Sequence, residues 1–412
     1  MSSSSEVDNI VAILKGVEAS SFQSEADRVR FRDALFATLR KVQTPWDIVW
    51  EHNWVNGTTN ASIKTLIDAG VFPKMVENDC APKTSAELAK LTGADEKLLW
   101  GRQSAPRKLR RRNTLGRLLS QISGQNLVIE TAEDTFAPTE WVKGLVADPA
   151  LNSTYGSFYS DLNSPIFCAL PFFLKETGFR NPTDANSSNF QYWQADPNIN
   201  FFNFVGTNKK LTASFNDAME CHSRYNLTPW PEVYPTETLV ADLKTDRPVI
   251  VDLGGGKGHD LQKFSDRHPD LPKGSLVLQD LGDILTHVKT SDSISVQPHD
   301  FFTPEPIKGA RAYFMHNVLH DWEDSKAVKI LKNIAGSMER GYSKVLIHES
   351  LVSSVAPASR VTVSDITVMA CLSAKERTEK EWHSLLEEAG LEIVKIWRPI
   401  HSVESVIEAE LA

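Results

Sequence analysis

Only four cysteines occur in 412 residues, and Cys80, Cys168, Cys221 and Cys371 stand singly with no CxxC spacing. That scatter excludes a disulfide framework and a cysteine-bound zinc, and it fits the reduced thiols of a cytoplasmic chain. No apolar run is long enough to span a membrane. The opening MSSSSEVDNIVAILKGVEASS lacks a basic start, a long apolar stretch and a small-residue cleavage site, so no secretory signal is expected there. Positive charge is also in short supply. With 44 Lys and Arg against 53 Asp and Glu the net charge is -9, which argues against non-specific binding to nucleic acid or to an anionic membrane. The remaining composition is ordinary and globular, over a length that suits two domains or one with an accessory region.

From about Glu25 to Val42, Phe31, Leu35, Leu39 and Val42 recur at helical spacing. TTNASIKTLIDAGVF and KTSAELAKLTGADEKLL read as two more helices, the second capped by Thr84 or Ser85 with Glu87 in its first turn. NLVIETAEDTFAPT, residues 126–139, alternates and turns like a hairpin. Two helices and a hairpin suggest a winged-helix module. Residues 100–115, WGRQSAPRKLRRRNTL, interrupt it with a basic, acid-free run. Excising them joins ADEKLL to GRLLSQI in one helical pattern, so they read as an atypical insertion, such as a translated intron, rather than a nucleic-acid-binding loop.

Residues 141–235 are aromatic-rich and mostly helical. Phe158, Tyr159, Phe167, Phe172, Phe173, Phe190, Tyr192 and Trp193 are candidates for a pocket wall or for core. Beyond them the chain changes character. PVIVDLG, SLVLQD, SISVQP, RAYFMH, KVLIHES, LEIVKIW and SVESVIEAEL are short β-branched or apolar runs, most of them separated by helical patterns. This alternation predicts an α/β domain with a parallel-rich, doubly wound sheet.

VIVDLGGGKGHDL is a strand, a glycine turn and a helix start, with the spacing Asp252-x-Gly254-x-Gly256-x-Gly258. Glycines let the backbone turn and approach a ligand, while the helix start offers free N–H groups. A nucleotide-like ligand fits. The dinucleotide fingerprint does not, since His259 stands where its last glycine belongs, and no Walker lysine follows. Asp280 ends the next strand, where a carboxylate can accept both ribose hydroxyls of an adenosine. Asp300 and Phe301, ending the third strand in PHDFF, can bond and cover an adenine.

MHNVLHDWED places His316 and His320 four apart. A zinc helix of the HExxH kind needs a glutamate where Asn317 stands, and RAYFMHNVL begins as a strand, so no metal site is expected. DWED reads as a helix start with Asp321 as cap. His320 then lies at a strand-to-helix junction on the carboxyl edge of the sheet, where open α/β folds bind ligands and a catalytic base belongs.

Taken together, VDLGGGKGHDL, LQDL, HDFF, VLHDWED and SAKERTEKEWHSLLEEAGL resemble the plant- and fungal-type small-molecule O-methyltransferases that use S-adenosylmethionine. The resemblance covers nearly the whole chain, residues 100–115 excepted. It implies a C-terminal Rossmann-like methyltransferase domain, residues 236–412, behind a helical substrate-pocket region, 141–235, and an N-terminal winged-helix dimerisation domain, 1–140. It implies His320 as the base that takes a proton from a substrate hydroxyl, flanked by Glu349 and Glu376. It assigns Asp252, Gly254, Gly256, Asp280, Leu281, Asp300 and Phe301 to the cofactor, and His316 where plant members often carry lysine. A small aromatic substrate and a homodimer follow from the same resemblance.

Two other readings compete. Fungal enzymes of this fold can retain S-adenosylmethionine and catalyse dehydration or pericyclic ring closure instead, and the loop would look the same. Retention of His320, Glu349 and Glu376 favours methyl transfer. A DNA-binding regulator would rest only on the basic run, against an acidic chain.

Overall fold

The computed structural model describes residues 4–94, 114–225, 228–286, 288–355, 357–399 and 404–412. The basic insertion, up to residue 113, lies outside the described residues. The chain divides into two compact units, residues 1–61 and 62–412.

In the first unit, helix Glu25–Val42 occupies the span its apolar periodicity predicts. Helix Pro45–Trp50 opens with a capping box between Thr44 and Asp47. Arg40 reaches Glu51 at 2.7 Å, which ties these two helices together. Trp46, Trp50 and Trp54 line up with ring centroids 5.0–6.1 Å apart, and all three are exposed.

The second unit begins with a helical layer. Thr84 caps helix Ser85–Thr92 through the expected box with Glu87. The expected hairpin is present as β2 (Val128–Ala132) and β3 (Thr135–Pro138), and short β1 (Lys83–Thr84) adds to β3 to complete a three-stranded antiparallel sheet. Ile63, Leu66, Phe72, Leu88, Leu119, Ile122 and Phe136 form its core. Of the aromatic pocket candidates, Phe173 and Phe190 are buried, and Phe190 packs with Leu162, Ile166 and Phe201 as core rather than wall. Phe172 is exposed.

The main sheet contains β4 (Ile250–Leu253), β5 (Leu276–Asp280), β6 (Ile294–Pro298), β7 (Ala312–His316), β8 (Lys344–Val352), β9 (Arg377–Thr378), β10 (Leu391–Trp397) and β11 (Glu404–Leu411). Its order is β10-β11-β8-β7-β4-β5-β6, with β9 beside β8. Strands β6, β5, β4, β7 and β8 are parallel, and β11 and β10 run antiparallel at one side. Alternation along a strand sends neighbours to opposite faces. Tyr313 and Met315 enter one core with Leu253 and Val345, while Ala312 and Phe314 enter the other with Trp230 and Phe264. Strand order reverses beside β4, so the loops after β4 and β7 flank the crevice where such sheets bind ligands. Among the described residues, no helix is long and apolar enough to cross a membrane.

Candidate active site

The loop after β4 turns through three left-handed glycines, Gly254 at φ 72°, Gly256 at 56° and Gly258 at 77°. Gly258 leads directly into helix His259–Arg267. At Gly255 a side chain has no room, because its Cβ would run into Asp252 Oδ2 and lie 2.6 Å from Leu278 Cδ1. Asp252 is buried, and neither of its oxygens meets a donor. Burial, with Asp260 adding negative charge, holds its carboxyl well above the usual range.

Asp280, at the end of β5, accepts the Gly256 amide at 2.9 Å and the Leu281 amide at 2.7 Å. Burial raises its pKa against the pull of those two amides. The exposed Leu281 follows it. Asp300 accepts the Phe302 amide at 2.9 Å, holding a turn that carries Phe301. The Phe301 ring stands 3.6 Å from where a Gly254 Cβ would be. The expected residues thus surround one loop. They fit S-adenosylmethionine: Asp280 has lone pairs left for ribose hydroxyls, Phe301 brings an aromatic ring to the glycine loop, and Asp252 has oxygens without a partner.

Val318, on the turn after β7, comes within 3.0 Å of the same Gly254 Cβ position, so this turn borders the loop. Asn317 enters the turn at φ 52°, a conformation asparagine tolerates better than most residues. Glu349, wholly buried on β8, then accepts three successive amides through one oxygen, from Val318 at 3.1 Å, Leu319 at 2.9 Å and His320 at 3.3 Å. Its second oxygen lies 3.7 Å from His320 Nδ1. Glu376 is the acid that bonds the imidazole, with Oε1 2.8 Å from His320 Nδ1 and a further bond from Ser364 at 2.5 Å.

On the other side of the ring, His320 Nε2 is 3.5 Å from Asp321 Oδ1, a charge contact rather than a good hydrogen bond. Burial alone would lower the His320 pKa, but Glu349, Asp321 and Glu376 together raise it to about 10. Burial lifts Asp321 to about 6, with His320 opposing. It also raises Glu349, again against His320. Asp321 does not cap the following helix, which starts at Asp324 behind Glu323. The DWED pattern was ambiguous by a few residues, and the chain makes a 3₁₀ turn, Leu319–Asp321, before the helix begins.

His316 differs from its expected role. Its Nδ1 lies 2.6 Å from Asp260 and its Nε2 2.9 Å from Glu404, so neither nitrogen is free to bond a cofactor. Burial works against its charge, yet the two acids raise its pKa well above the ordinary value.

Two residues near the site had no reading from the sequence. Arg377, fully buried on β9, donates to the carbonyls of Leu319 at 2.8 Å and Trp322 at 2.7 Å, and to Asp324 at 2.9 Å, so it anchors the His320 turn. Its place in the quoted run SAKERTE was visible, but a buried arginine bonding carbonyls leaves no local spacing signal. His222, on helix Lys209–Arg224, has an exposed surface, yet the surrounding protein desolvates it and lowers its pKa, with Glu404, Arg360, His320 and His316 acting on it electrostatically.

Residues 183–392 match the O-methyltransferase domain family. O-methyltransferase mfmE of Annulohypoxylon moriforme is 31% identical over 410 residues, covering 99% of this chain and 96% of that protein. Among solved structures, LepI in complex with SAM superposes with a TM-score of 0.86 at 24% identity, covering 100% of both chains. A pericyclic reaction enzyme gives the same TM-score of 0.86 at 24% identity, over 99% of this chain and 100% of that one. The two structural likenesses speak to the fold alone.

Proposed function

The chain belongs to the family of S-adenosylmethionine-dependent small-molecule O-methyltransferases, and from that premise we propose that it methylates a hydroxyl of a small aromatic metabolite with His320 as general base. The observation that carries this reading is the asymmetry of the imidazole. Glu376 holds Nδ1 at 2.8 Å, while Nε2 has only the 3.5 Å contact to Asp321 and can receive a hydroxyl.

Bound S-adenosylmethionine supplies an electrophilic sulfonium methyl group. Asp252, the Gly254–Gly256 backbone, Asp280, Leu281, Asp300 and Phe301 would hold it, and His320 Nε2 would take the proton of the hydroxyl whose oxygen would bond the methyl carbon as the carbon–sulfur bond breaks and the neutral thioether leaves. A phenol of pKa about 10 is a weak nucleophile at neutral pH until a base removes its proton. His320, raised to about 10, is well matched to that proton. The same match keeps most of the imidazole protonated at pH 7. Alignment of acceptor and methyl supplies most of the remaining acceleration.

The test is transfer of labelled methyl to a panel of phenols. We expect His320→Ala to lose about 10²- to 10⁴-fold in rate with cofactor affinity retained. Equal transfer by wild type and His320→Ala would overturn the assignment. The second reading, cofactor-assisted ring closure, shares this fold and glycine loop, and binding of cofactor, ring closure of an added polyene and no label transfer would be its outcome.

We further read residues 1–140 as a winged-helix dimerisation domain in a cytoplasmic homodimer. Support comes from its exposed apolar side chains, Ile10, Ile13, Phe36, Val42, Trp46 and Trp50 among them. Sedimentation should give a dimer for the wild type and a monomer for Trp46→Glu combined with Trp50→Glu, and a wild-type monomer would refute this.

A further inference from the structure

We infer that the chain holds one divalent transition-metal ion of the zinc kind between His316, His348 and Glu404, outside the His320 cluster. The sheet itself assembles the three residues. Parallel pairing sets His316 directly beside His348 across β7 and β8, with rings stacked at 4.2 Å, and Glu404 enters at the same edge on β11 opposite Ser350. One nitrogen or oxygen from each lies within 4.8 Å of the others.

His316 Nε2 is 2.9 Å and His348 Nε2 is 3.7 Å from Glu404 Oε2. Tetrahedral ligands at zinc bond lengths stand about 3.4 Å apart. The His348–Glu404 separation is within a few tenths of an ångström of that spacing, and the stacked imidazoles would tilt apart to aim both nitrogens at one ion. His316 already has the outer partner that metal-binding histidines use: Asp260 at 2.6 Å from Nδ1 fixes the ring and directs Nε2 inward. Asn317 lies 3.4 Å from the other oxygen of Glu404.

A pair of ion bridges from His316 to Asp260 and Glu404 explains His316 without any metal. It does not explain His348. That ring is 1% exposed, and neither nitrogen has a hydrogen-bond partner. A buried imidazole without a hydrogen-bond partner, its Nε2 3.7 Å from a carboxylate oxygen, is what a metal ion would use. Binding would replace the His316 Nε2 proton that now meets Glu404. Imidazole and carboxylate ligands without thiolate suit zinc, cobalt or nickel.

The experiment uses the full chain, stripped with chelator, dialysed, loaded with Co²⁺ or Zn²⁺ and freed of excess ion by gel filtration. We expect about one equivalent retained, with visible Co²⁺ absorption. His348→Phe and Glu404→Gln should each cut retention at least tenfold with circular dichroism unchanged, and His348→Gln replaces the phenylalanine variant where that one does not fold. His320→Ala should retain the ion. Because His320, Glu349 and Glu376 form the other group of suitable donors among the described residues, loss in His320→Ala with retention in His348→Phe overturns the proposal. So does a wild type that retains no metal.

Discussion

Glu349 and Glu376 both flank His320, but they act on different atoms. Glu349 spends one oxygen on three backbone amides of the turn, whereas Glu376 bonds the ring. Glutamine at 349 can still accept those amides. Alanine leaves three buried N–H groups unpaired, at a cost of about 1–3 kcal/mol each. Thermal melts should therefore show Glu349→Ala strongly destabilised and Glu349→Gln close to wild type. For Glu376→Gln the effect should be kinetic. The carboxylates raise the imidazole pKa to about 10, so kcat/KM should climb with pH between 6.5 and 10 as the neutral base accumulates. Removing the Glu376 charge lowers that pKa, and the rising limb should move to lower pH with a lower plateau. An unshifted profile in this variant would mean that His320 does not set the limb.

At the scale of elements, the turn after β4 is tight for a reason that one position tests. A Cβ at Gly255 meets Asp252 and Leu278, while one at Gly256 meets nothing within 4 Å. Gly255→Ala must shift the loop, so cofactor affinity measured by calorimetry should fall by about tenfold or more. An unchanged affinity would show that the loop yields without cost. The strand–glycine–helix reading was legible because backbone needs dictate glycine there, and β4, β5, β6 and β7 announce themselves as apolar runs. The partners of His316 were not legible. Asp260 and Glu404 lie far from it in sequence, and only the pairing of β7, β8 and β11 brings Glu404 across. Arg377 sits on a two-residue strand too short to leave a periodic trace. The boundary at residues 61 and 62 falls inside helix Asn56–Asp68, so no break in pattern marks it.

Across the whole molecule, buried titratable groups pull stability in opposite directions with pH. Burial, with the charge of His316 adding, lowers His348 to about 3, so the unfolded chain takes up its proton first and stability falls as pH drops from 6.5 toward 3. Glu404, which burial would raise but His316 lowers to about 2, adds to that loss between 4.5 and 2. Asp321 opposes both, since its raised value makes its share of stability fade as pH rises from 3.8 to about 6. His320 acts on the alkaline side. Its contribution is complete below 6.5 and is lost as pH rises toward about 10, and the raised His316 works in the same sense. Asp252 and Glu349, both raised by burial, act in the same sense as Asp321 between pH 4 and 7. Urea melts of chelated protein should therefore lose midpoint from pH 6.5 to 9, where the histidine effects have no acid to oppose them. Between pH 6.5 and 4, His348→Phe should lose less stability, or gain more, than wild type, because the residue that must stay neutral in the fold is gone. A variant whose acid limb matches wild type would show that His348 is already protonated, or already bound, in the native chain.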